Sequence, residues 1–413
     1  PQASLSRRRA LRHIGLAGVL PWASLALAAG AAPTQNRLIV VLLRGGLDGL
    51  GAVPAVGDPA FAAARGVLAD YASPALPLGG PSAAGSAGFF ALHPNLGELH
   101  RLYGRGEALV VHATGLPYRE RSHFDAQQVL ESGGTRPYEI STGWLARALA
   151  ADKRRGMALN TAVPLVLRGP GEIDTWAPSA LPEPSNDLVA RLARLYATDP
   201  ALSQALSRAR GLREDPEMAA GMASPSPGMS GIAGSVGRQA VVALARKAAE
   251  FAAQAHGPQA LVLEMGGWDT HANQAAPQGA LANNLGTLDA ALAALREGLS
   301  SPAASGAWAR TAIAVVTEFG REVAVNGTQG TDHGTGGTAF LLGGAVRGGR
   351  VIADWPGLAK AQRHEGRDLR ITTDLRALFK PLLVQHLGLP AQQVEQVVFP
   401  ESGGVKGLDL LRA

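Results

Sequence analysis

The sequence predicts an α/β fold, a three-layer sandwich in which a mostly parallel sheet lies between helices on both faces. Continuous aliphatic runs, rather than alternating ones, are typical of strands that are buried on both faces. Five such runs occur in this chain, at residues 38–43, 108–113, 260–265, 311–317 and 338–344. Helical patterns lie between them, and one places leucines on a single stripe from Leu285 to Leu299. Strands that alternate with helices in this way favour the α/β class.

The length and composition favour one large domain. The chain has 413 residues, and its 46% hydrophobic content predicts a sizeable core. Residues 33–413 are predicted to form a single α/β domain, because strand patterns resume after each irregular stretch. Two stretches rich in Pro, Gly, Ala and Ser are predicted to be flexible insertions, near 71–91 and 211–236.

Residues 1–32 have the pattern of a signal peptide. Arg7, Arg8, Arg9 and Arg12 precede an apolar run, and no acidic residue occurs in the segment. The consecutive arginines favour export by the twin-arginine route, with an ordinary secretory signal as the alternative. Gly and Pro residues in the apolar run argue against a permanent membrane anchor. We therefore expect the mature protein in the periplasm or outside the cell.

The charge of the mature chain argues against two classes of partner. The formal net charge of the whole chain is +5, and the arginines of the predicted signal supply most of it. No polybasic stripe remains, so neither nucleic acid nor an anionic membrane is expected as a partner. The chain has no cysteine, which excludes thiolate chemistry and disulfides.

Carboxylates and histidines follow several of the predicted strands. In open α/β sheets, ligands bind at the carboxyl ends of the strands, where several loops meet. Carboxylate oxygens and imidazole nitrogens are the donors that divalent cations take in such clefts. The candidate metal ligands in these loops are Asp48, Asp269, His271, Glu318, Asp332 and His333. Zinc is the favoured metal, with calcium, magnesium or manganese as alternatives.

Each of these motifs also has a purely structural interpretation. Asp48 lies in Gly-Gly-Leu-Asp-Gly, where an aspartate commonly stabilises a turn. The Trp-Asp-Thr-His motif at 268–271 is compatible with an Asx turn, and the loop at 330–337 with a glycine-rich hinge. The metal hypothesis therefore depends on the motifs taken together.

The candidate catalytic residues follow the second predicted strand and are Arg119, Arg121, Ser122 and His123. A hydroxyl at a helix N-terminus lies where backbone N–H groups and the helix dipole favour an anion such as phosphate or sulfate. Ser-His-Phe-Asp also has the form of a capping box, in which Ser122 is only the N-cap of the next helix. The sequence leaves both roles open for this serine.

Five motifs in this order resemble those of an exported family, the domain of unknown function 1501 family. They are RGGLDGL, RSHFDAQ, GGWDTH, TEFGR and DHG, and the likeness runs from about Leu38 to the C-terminal helix. The family is grouped with the alkaline phosphatase and sulfatase superfamily. The resemblance therefore implies an alkaline phosphatase-like domain with metal at the strand ends. It also implies a nucleophile at Ser122 and metal ligands at Asp48, Asp269, His271, Glu318 and His333.

The motifs depart from the superfamily pattern at two places. Asp269 and His271 are two residues apart, whereas the resemblance leads us to expect a spacing of four. Glu318-Phe319 replaces a later Asp-His pair, and the Asp332-His333 pair comes further downstream. A two-zinc arrangement does not follow from this ligand set.

The predicted function is that of an exported, metal-dependent hydrolase acting on a phosphate or sulfate ester, with a serine nucleophile that the metal activates. Its substrate would be a small-molecule or polymer-borne anionic ester. The alternative is a catalytically inactive periplasmic binding or assembly protein on the same fold, because a fold does not determine a function. A dinucleotide enzyme is disfavoured, since RGGLDG lacks the G-x-G-x-x-G spacing.

Overall fold

A nine-stranded sheet forms the centre of the structure, which is a computed structural model of the chain. Two further short strands pair with each other outside it. In chain order the strands are β1 (Arg37–Leu43), β2 (Leu76–Pro77), β3 (Ala91–Leu92), β4 (Ala108–Gly115), β5 (Arg155–Ala158), β6 (Glu172–Thr175), β7 (Ala260–Met265), β8 (Thr311–Thr317), β9 (Gly337–Leu342), β10 (Arg350–Ile352) and β11 (Thr373–Asp374).

The strand order of the main sheet is β10-β4-β9-β8-β1-β7-β5-β6, and β11 pairs with the end of β4. Among the described residues, β9 is the one strand that is antiparallel to its neighbours in this sheet, β4 and β8. The mostly parallel α/β sheet predicted from the sequence is confirmed, and all five predicted strands are present. The strands that were not predicted, such as β6, are too short to give an aliphatic run.

Helices of one to five turns connect the strands. They are α1 (Gly49–Ala52), α2 (Phe61–Arg65), α3 (Gly97–Gly104), α4 (His123–Ser132), α5 (Trp144–Ala151), α6 (Asn186–Leu195), α7 (Pro200–Glu214), α8 (Arg238–Ala253), α9 (Ala280–Leu299), α10 (Arg376–Pro381) and α11 (Ala391–Gln393). Short 3-10 or π turns occupy Gly66–Ala69, Leu165–Leu167, Tyr196–Thr198, Pro302–Ala304, Ala307–Arg310, Lys360–Gln362, Leu382–His386 and Val394–Val398. Within the part of the chain that the structure describes, no helix combines the length and apolar character needed to cross a bilayer.

Two hydrophobic layers cover the two faces of the sheet. Ile39, Val41 and Leu43 of β1 pack in one layer with residues of α3, α8 and α9. The alternate residues of β1 pack in the other layer with residues of α4, α5 and α10. The leucine stripe of α9 is buried as predicted. Because successive side chains of a strand point to opposite faces, both sets of β1 residues are buried and the run is continuously aliphatic.

The structure describes residues 36–79, 88–178, 184–214, 237–274 and 279–412. The predicted signal peptide at 1–32 lies outside the described residues, as do the central part of the first predicted insertion and most of the second. The ends of the first predicted insertion form the β2–β3 pair, so part of it is regular. Residues Gln35–Ala413 form one compact unit.

A β-bulge at the end of β4 depends on a buried histidine. Ala113 has a left-handed φ of 53°, and the register with β9 shifts between His112 and Thr114. The Ala113 N–H donates to His112 Nδ1 over 2.8 Å, while His112 Nε2 lies 2.9 Å from the Val53 carbonyl. The ring is therefore neutral, with its proton on Nε2. Burial lowers the pKa of His112 to about 4. The bulge changes the direction of the chain just before the loop that carries Ser122.

We predict that His112→Phe makes the protein less sensitive to acid. Between pH 6.5 and about 4, unfolded His112 binds a proton that the folded protein excludes, so the wild type loses up to about 3 kcal/mol of stability over this window. The phenyl ring of the variant binds no proton in either state, so this pH-dependent loss of stability is absent. The same ring keeps the packing of His112 against Phe90 and Trp355. Denaturant titrations at neutral and acidic pH measure the difference. An equal loss in both proteins would contradict the assignment.

Candidate metal centre

Three parallel strands end at the same level, so the loops that follow them lie at one edge of the sheet. Leu43 at the end of β1 pairs with both Met265 of β7 and Thr317 of β8. The loops that follow carry Asp269 and Glu318. In addition, α4 begins at the same edge, and the loop before β9 carries two of the predicted ligands. The predicted convergence of these segments therefore follows from the register of β1, β7 and β8.

Two imidazoles and a carboxylate form a three-donor cluster at this edge. The Nε2 atoms of His123 and His333 lie 3.0 Å apart. The carboxylate of Asp269 places one oxygen 3.2 Å from His333 Nε2 and the other 3.5 Å from His123 Nε2. Ligand atoms of these three residues all lie within 4.8 Å of one another. Zinc–donor bonds of about 2.0–2.1 Å in a tetrahedron place donors about 3.3 Å apart, so the spacing fits such an ion.

The hydrogen bonds on the far side of each ring turn the Nε2 lone pairs toward each other. His123 Nδ1 lies 2.9 Å from a Glu318 oxygen, and His333 Nδ1 lies 2.9 Å from the carbonyl of Arg121. A carbonyl and a carboxylate only accept, so both Nδ1 atoms carry the proton in the neutral rings. Two Nε2 lone pairs then face each other at 3.0 Å. This contact is repulsive unless a cation or a proton lies between the rings.

A third imidazole adjoins the cluster from the solvent side. His271 Nε2 lies 3.0 Å from His333 Nε2 and 2.9 Å from an Asp269 oxygen. Its Nδ1 faces Asp332 at 3.1 Å, and Asn326 donates to the same Asp332 oxygen. His271 is thus a fourth potential donor. Asp332, which was predicted to be a metal ligand, instead orients the ring of His271.

Glu318 was also predicted to be a metal ligand, but it lies behind His123. Its Oε1 accepts hydrogen bonds from the backbone of Gly45 and from Gln127, in addition to its contact with His123. Oε2 accepts from Thr317. Burial alone would raise the pKa of Glu318, but the hydrogen bonds from His123 and Gln127 lower it. A buried, ionised carboxylate behind a metal-binding histidine fixes the ring and increases its basicity.

Arg321 is a buried cation that sequence reasoning did not assign to a role. Its guanidinium donates to Asp269 at 2.5 Å and to the hydroxyl of Thr331 at 3.1 Å. Burial would raise the pKa of Asp269, but this hydrogen bond lowers it, and the carboxylate is therefore ionised. The charge of Arg321 also contributes to lowering the pKa of His333, for which burial is the main cause. The only signal in the sequence is its place three residues after Glu318.

The glycine-rich loop brings His333 to the cluster by close backbone packing. A Cβ on Gly334 would lie 2.4 Å from the backbone of Arg321, and one on Gly330 would lie 2.3 Å from the backbone of His271. Residues Arg321 and His333 form an antiparallel bridge. The lack of a side chain at these two glycines lets the neighbouring loops pack closely against them. They fix the positions of Arg321, His271 and His333 relative to one another.

Asp48 does not lie in this cluster. Its carboxylate is ion-paired with Arg65, accepts a hydrogen bond from Gln274, and caps α1 through the N–H of Gly51. Asp48 and Arg65 are both almost fully buried. A carboxylate that already neutralises a buried guanidinium is a poor metal donor. The turn interpretation of Asp48 fits its contacts better than the metal interpretation.

Of the four candidate catalytic residues, His123 lies in the three-donor cluster, and the other three occupy different environments. Ser122 is the N-cap of α4, as the capping-box pattern predicts, but its side chain makes no capping hydrogen bond. Its hydroxyl interacts with that of Tyr118, which donates to Asp125. Arg121 is paired with Glu365 and Asp368, whereas Arg119 is exposed and forms no ion pair among the described residues. Only the exposed arginine therefore remains available to an anion.

Comparison with known proteins identifies the family. The family model described as "Protein of unknown function (DUF1501)" matches residues 107–398. The chain belongs to this family. The matched segment includes all three donors of the cluster and excludes the loop with Asp48. No curated protein matches this DUF1501 chain.

Several solved structures resemble this chain loosely, at low sequence identity. Ps i-CgsB, in complex with k-i-k-neocarrahexaose, is 11% identical over 87% of this chain and 73% of that chain, with a TM-score of 0.42. The PsFucS1 sulfatase from Pseudoalteromonas sp. is 14% identical over 91% and 71%, with a TM-score of 0.39. The phosphonate monoester hydrolase of Agrobacterium radiobacter is 13% identical over 86% and 74%, with a TM-score of 0.30.

We predict that Asp48→Asn destabilises the DUF1501 protein without changing its metal content. The variant leaves the buried Arg65 guanidinium without a counter-charge, which costs about 3–5 kcal/mol. Denaturant unfolding and elemental analysis measure the two effects. Asp409→Asn is the matched control, because its ion pair with Arg347 is exposed and contributes less than about 1 kcal/mol. Loss of metal from a folded Asp48→Asn protein would contradict this prediction and show that Asp48 binds the metal.

A second prediction concerns the carboxylate behind His123. Glu318→Gln removes the negative charge that orients the ring and increases its basicity, so zinc affinity is expected to fall about 10- to 100-fold. Competition with a chelator measures the affinity. The control is Glu297→Gln, which makes the same change at an exposed site on α9. If both variants bind zinc as tightly as the wild type, Glu318 has no part in the site.

Proposed function

We propose that this protein is a metal-dependent hydrolase that cleaves a phosphate or sulfate ester. The observation that carries the proposal is the inward-facing arrangement of the Nε2 atoms of His123 and His333 beside the carboxylate of Asp269. Each group is held from behind by its own partner, namely Glu318, the Arg121 carbonyl or Arg321. Such support on the outer side is typical of metal-binding histidines and carboxylates.

The donor set favours zinc over the alkaline earth metals. His123, His333 and Asp269 would hold the ion, with His271 adjoining it. Two or three nitrogen donors suit zinc, whereas calcium and magnesium prefer a shell of oxygens. When bound, such an ion neutralises charge on an ester oxygen and lowers the pKa of a hydroxyl or water beside it. Manganese is the alternative among the metals considered.

Ser122 is the proposed nucleophile. Its hydroxyl is not used for helix capping, and it directly precedes the donor His123. Attack on phosphorus or sulfur would form a bond to the serine oxygen while the bond to the alcohol oxygen of the ester breaks, and the departing alcohol takes up the proton of the serine hydroxyl. Attack by water would then release phosphate or sulfate and restore the hydroxyl. Tyr118, whose hydroxyl donates to Asp125, is the neighbour of Ser122. Burial, with a contribution from Asp125, raises the pKa of Tyr118 to about 12, so the phenol keeps its own proton.

Positive groups around Ser122 suit an anionic substrate. The backbone N–H groups of the first turn of α4 and the helix dipole favour negative charge at that end. Of the two arginines before Ser122, Arg119 is the one proposed to bind such an anion, since Arg121 is already paired with Glu365 and Asp368. The substrate is therefore a small-molecule or polymer-borne anionic ester. Export to the periplasm or beyond remains our inference from the N-terminal sequence alone.

A non-catalytic binding or assembly role is the second candidate. The position of His271 favours it, because four donors from the protein would close the coordination of a tetrahedral ion. Structural zinc sites are closed in this way, whereas catalytic sites keep one position open. Turnover decides between the two roles, whereas metal content alone does not.

We predict that the metal-loaded protein hydrolyses aryl phosphate or aryl sulfate esters and that Ser122→Ala lowers kcat at least about 1,000-fold with its metal retained. Steady-state kinetics on an ester panel and elemental analysis provide the two readouts. Ser141→Ala, at an exposed serine beyond α4, is the control and should leave kcat unchanged. Retained turnover in Ser122→Ala would exclude this nucleophile. Bound metal without turnover on any ester would favour the binding protein.

A further inference from the structure

A cavity lies along α4, one helical turn beyond His123. It has a volume of about 430 Å³ and is open to solvent. Its lining includes Arg44, Phe124, Gln127, Tyr138, Asn160 and Glu264. The proposed hydrolytic centre makes no use of this cavity. Its volume is within the range of small-molecule sites in proteins.

Two exposed aromatic rings lie at this cavity. Phe124 is 81% exposed and Tyr138 is 67% exposed, although aromatic side chains usually bury most of their area. Phe124 directly follows His123, which belongs to the candidate metal centre. The cavity therefore has apolar, planar surfaces that no part of the described chain covers.

The position of Tyr138 is maintained against backbone strain. Its φ is 61°, a left-handed conformation that is unfavourable for an aromatic residue. The amide of Gln128 holds this loop, because it accepts from the N–H of Tyr138 at 2.9 Å and donates to the carbonyl of Ile140 at 3.0 Å. Strain that neighbouring contacts maintain is common at binding sites. The ring of Tyr138 is thus fixed beside the cavity rather than left there by a loose loop.

The floor of the cavity is polar and carries no excess of positive charge. Arg44 is ion-paired with both Glu131 and Glu264, and Asn160 donates to the second oxygen of Glu264. A carboxylate has about four acceptor sites, so Glu264 can still accept from a ligand hydroxyl. An apolar ligand would leave these polar groups without hydrogen-bond partners. An anion would face two carboxylates, those of Glu131 and Glu264, as well as the two guanidiniums of Arg44 and Arg168, so the lining has no net charge that would favour it.

We infer that this cavity binds a neutral sugar ring, which would be the alcohol part of the ester if the proposed function holds. A sugar ring has an apolar C–H face that can pack on Phe124 and Tyr138. Its hydroxyls can meet the carboxylate and amide groups of the floor. This combination of one apolar face and an edge of hydroxyls matches both parts of the lining.

The helix connects this cavity to the candidate metal centre. His123, Gln127 and Glu131 are four residues apart and share one face of α4. Gln127 lines the cavity and also donates to Glu318 behind His123. Four residues of an α-helix span about 6 Å along its axis, so the sugar site and the metal centre lie within the length of a single substrate.

Direct binding tests this inference without requiring turnover. The probes are methyl glycosides and disaccharides of neutral hexoses, deoxyhexoses, pentoses and N-acetylhexosamines, titrated by calorimetry into the metal-loaded protein. At least one probe should bind the wild type. Phe124→Ala and Tyr138→Ala should each weaken that binding about ten-fold, because each removes one packing surface. Tyr138→Phe keeps the ring and should bind within about two-fold of the wild type.

Leu195→Ala removes another exposed apolar side chain, 70% exposed on α6, and should not change binding. No binding of any probe, or equal binding by the two alanine variants and the wild type, would overturn the inference. Ester turnover without sugar binding would also overturn it while leaving the proposed hydrolase intact. Sugar binding that depends on both rings, in a protein without turnover, would support the inference and count against the hydrolase.

Discussion

The candidate site depends on the common register of three parallel strands. Leu43 pairs with Met265 on one side and with Thr317 on the other, so β1, β7 and β8 end level. Because the strand ends are level, the backbone N–H of Gly45 in the loop after β1 donates to Glu318 in the loop after β8. From that same loop after β8, Arg321 donates to Asp269 in the loop after β7. A slip of one residue in β1 would exchange its buried faces and remove these contacts together. The two hydrophobic layers, which fix that register, therefore also fix the geometry of the donors.

Charge in the cluster is balanced by groups that lie behind it. Asp269 and Glu318 are both ionised, and each contacts a positive or hydrogen-bonding partner away from the donor atoms. The hydrogen bond that His123 donates to Glu318 raises the pKa of His123, so acid places a proton where the metal would bind. Burial lowers the pKa of His333, which keeps this ring neutral and able to donate its lone pair. Metal binding and protonation thus compete mainly at His123, and acid should release the metal.

The sequence predicted the strands and the neighbourhood of the site better than the role of each residue. Continuous aliphatic runs identify β1 and β8 because both faces are covered, and the strand ends then identify Asp269 and His333 as neighbours. The direction in which a loop turns cannot be seen in a sequence. Asp48 follows β1 as predicted, but its loop turns toward Arg65, which lies in an alanine-rich segment with no visible signal. A sequence also cannot distinguish a candidate metal ligand such as Asp269 from an orienting carboxylate such as Glu318, since carboxylates serve in both positions.

The central claim is that one divalent ion lies between His123, His333 and Asp269. Anomalous diffraction at the zinc edge, from crystals of the zinc-loaded protein, tests this claim most directly. The account predicts an anomalous peak bonded to Nε2 of both histidines and to the Asp269 carboxylate. The absence of a peak at this position, or a peak at Asp48 instead, would contradict it.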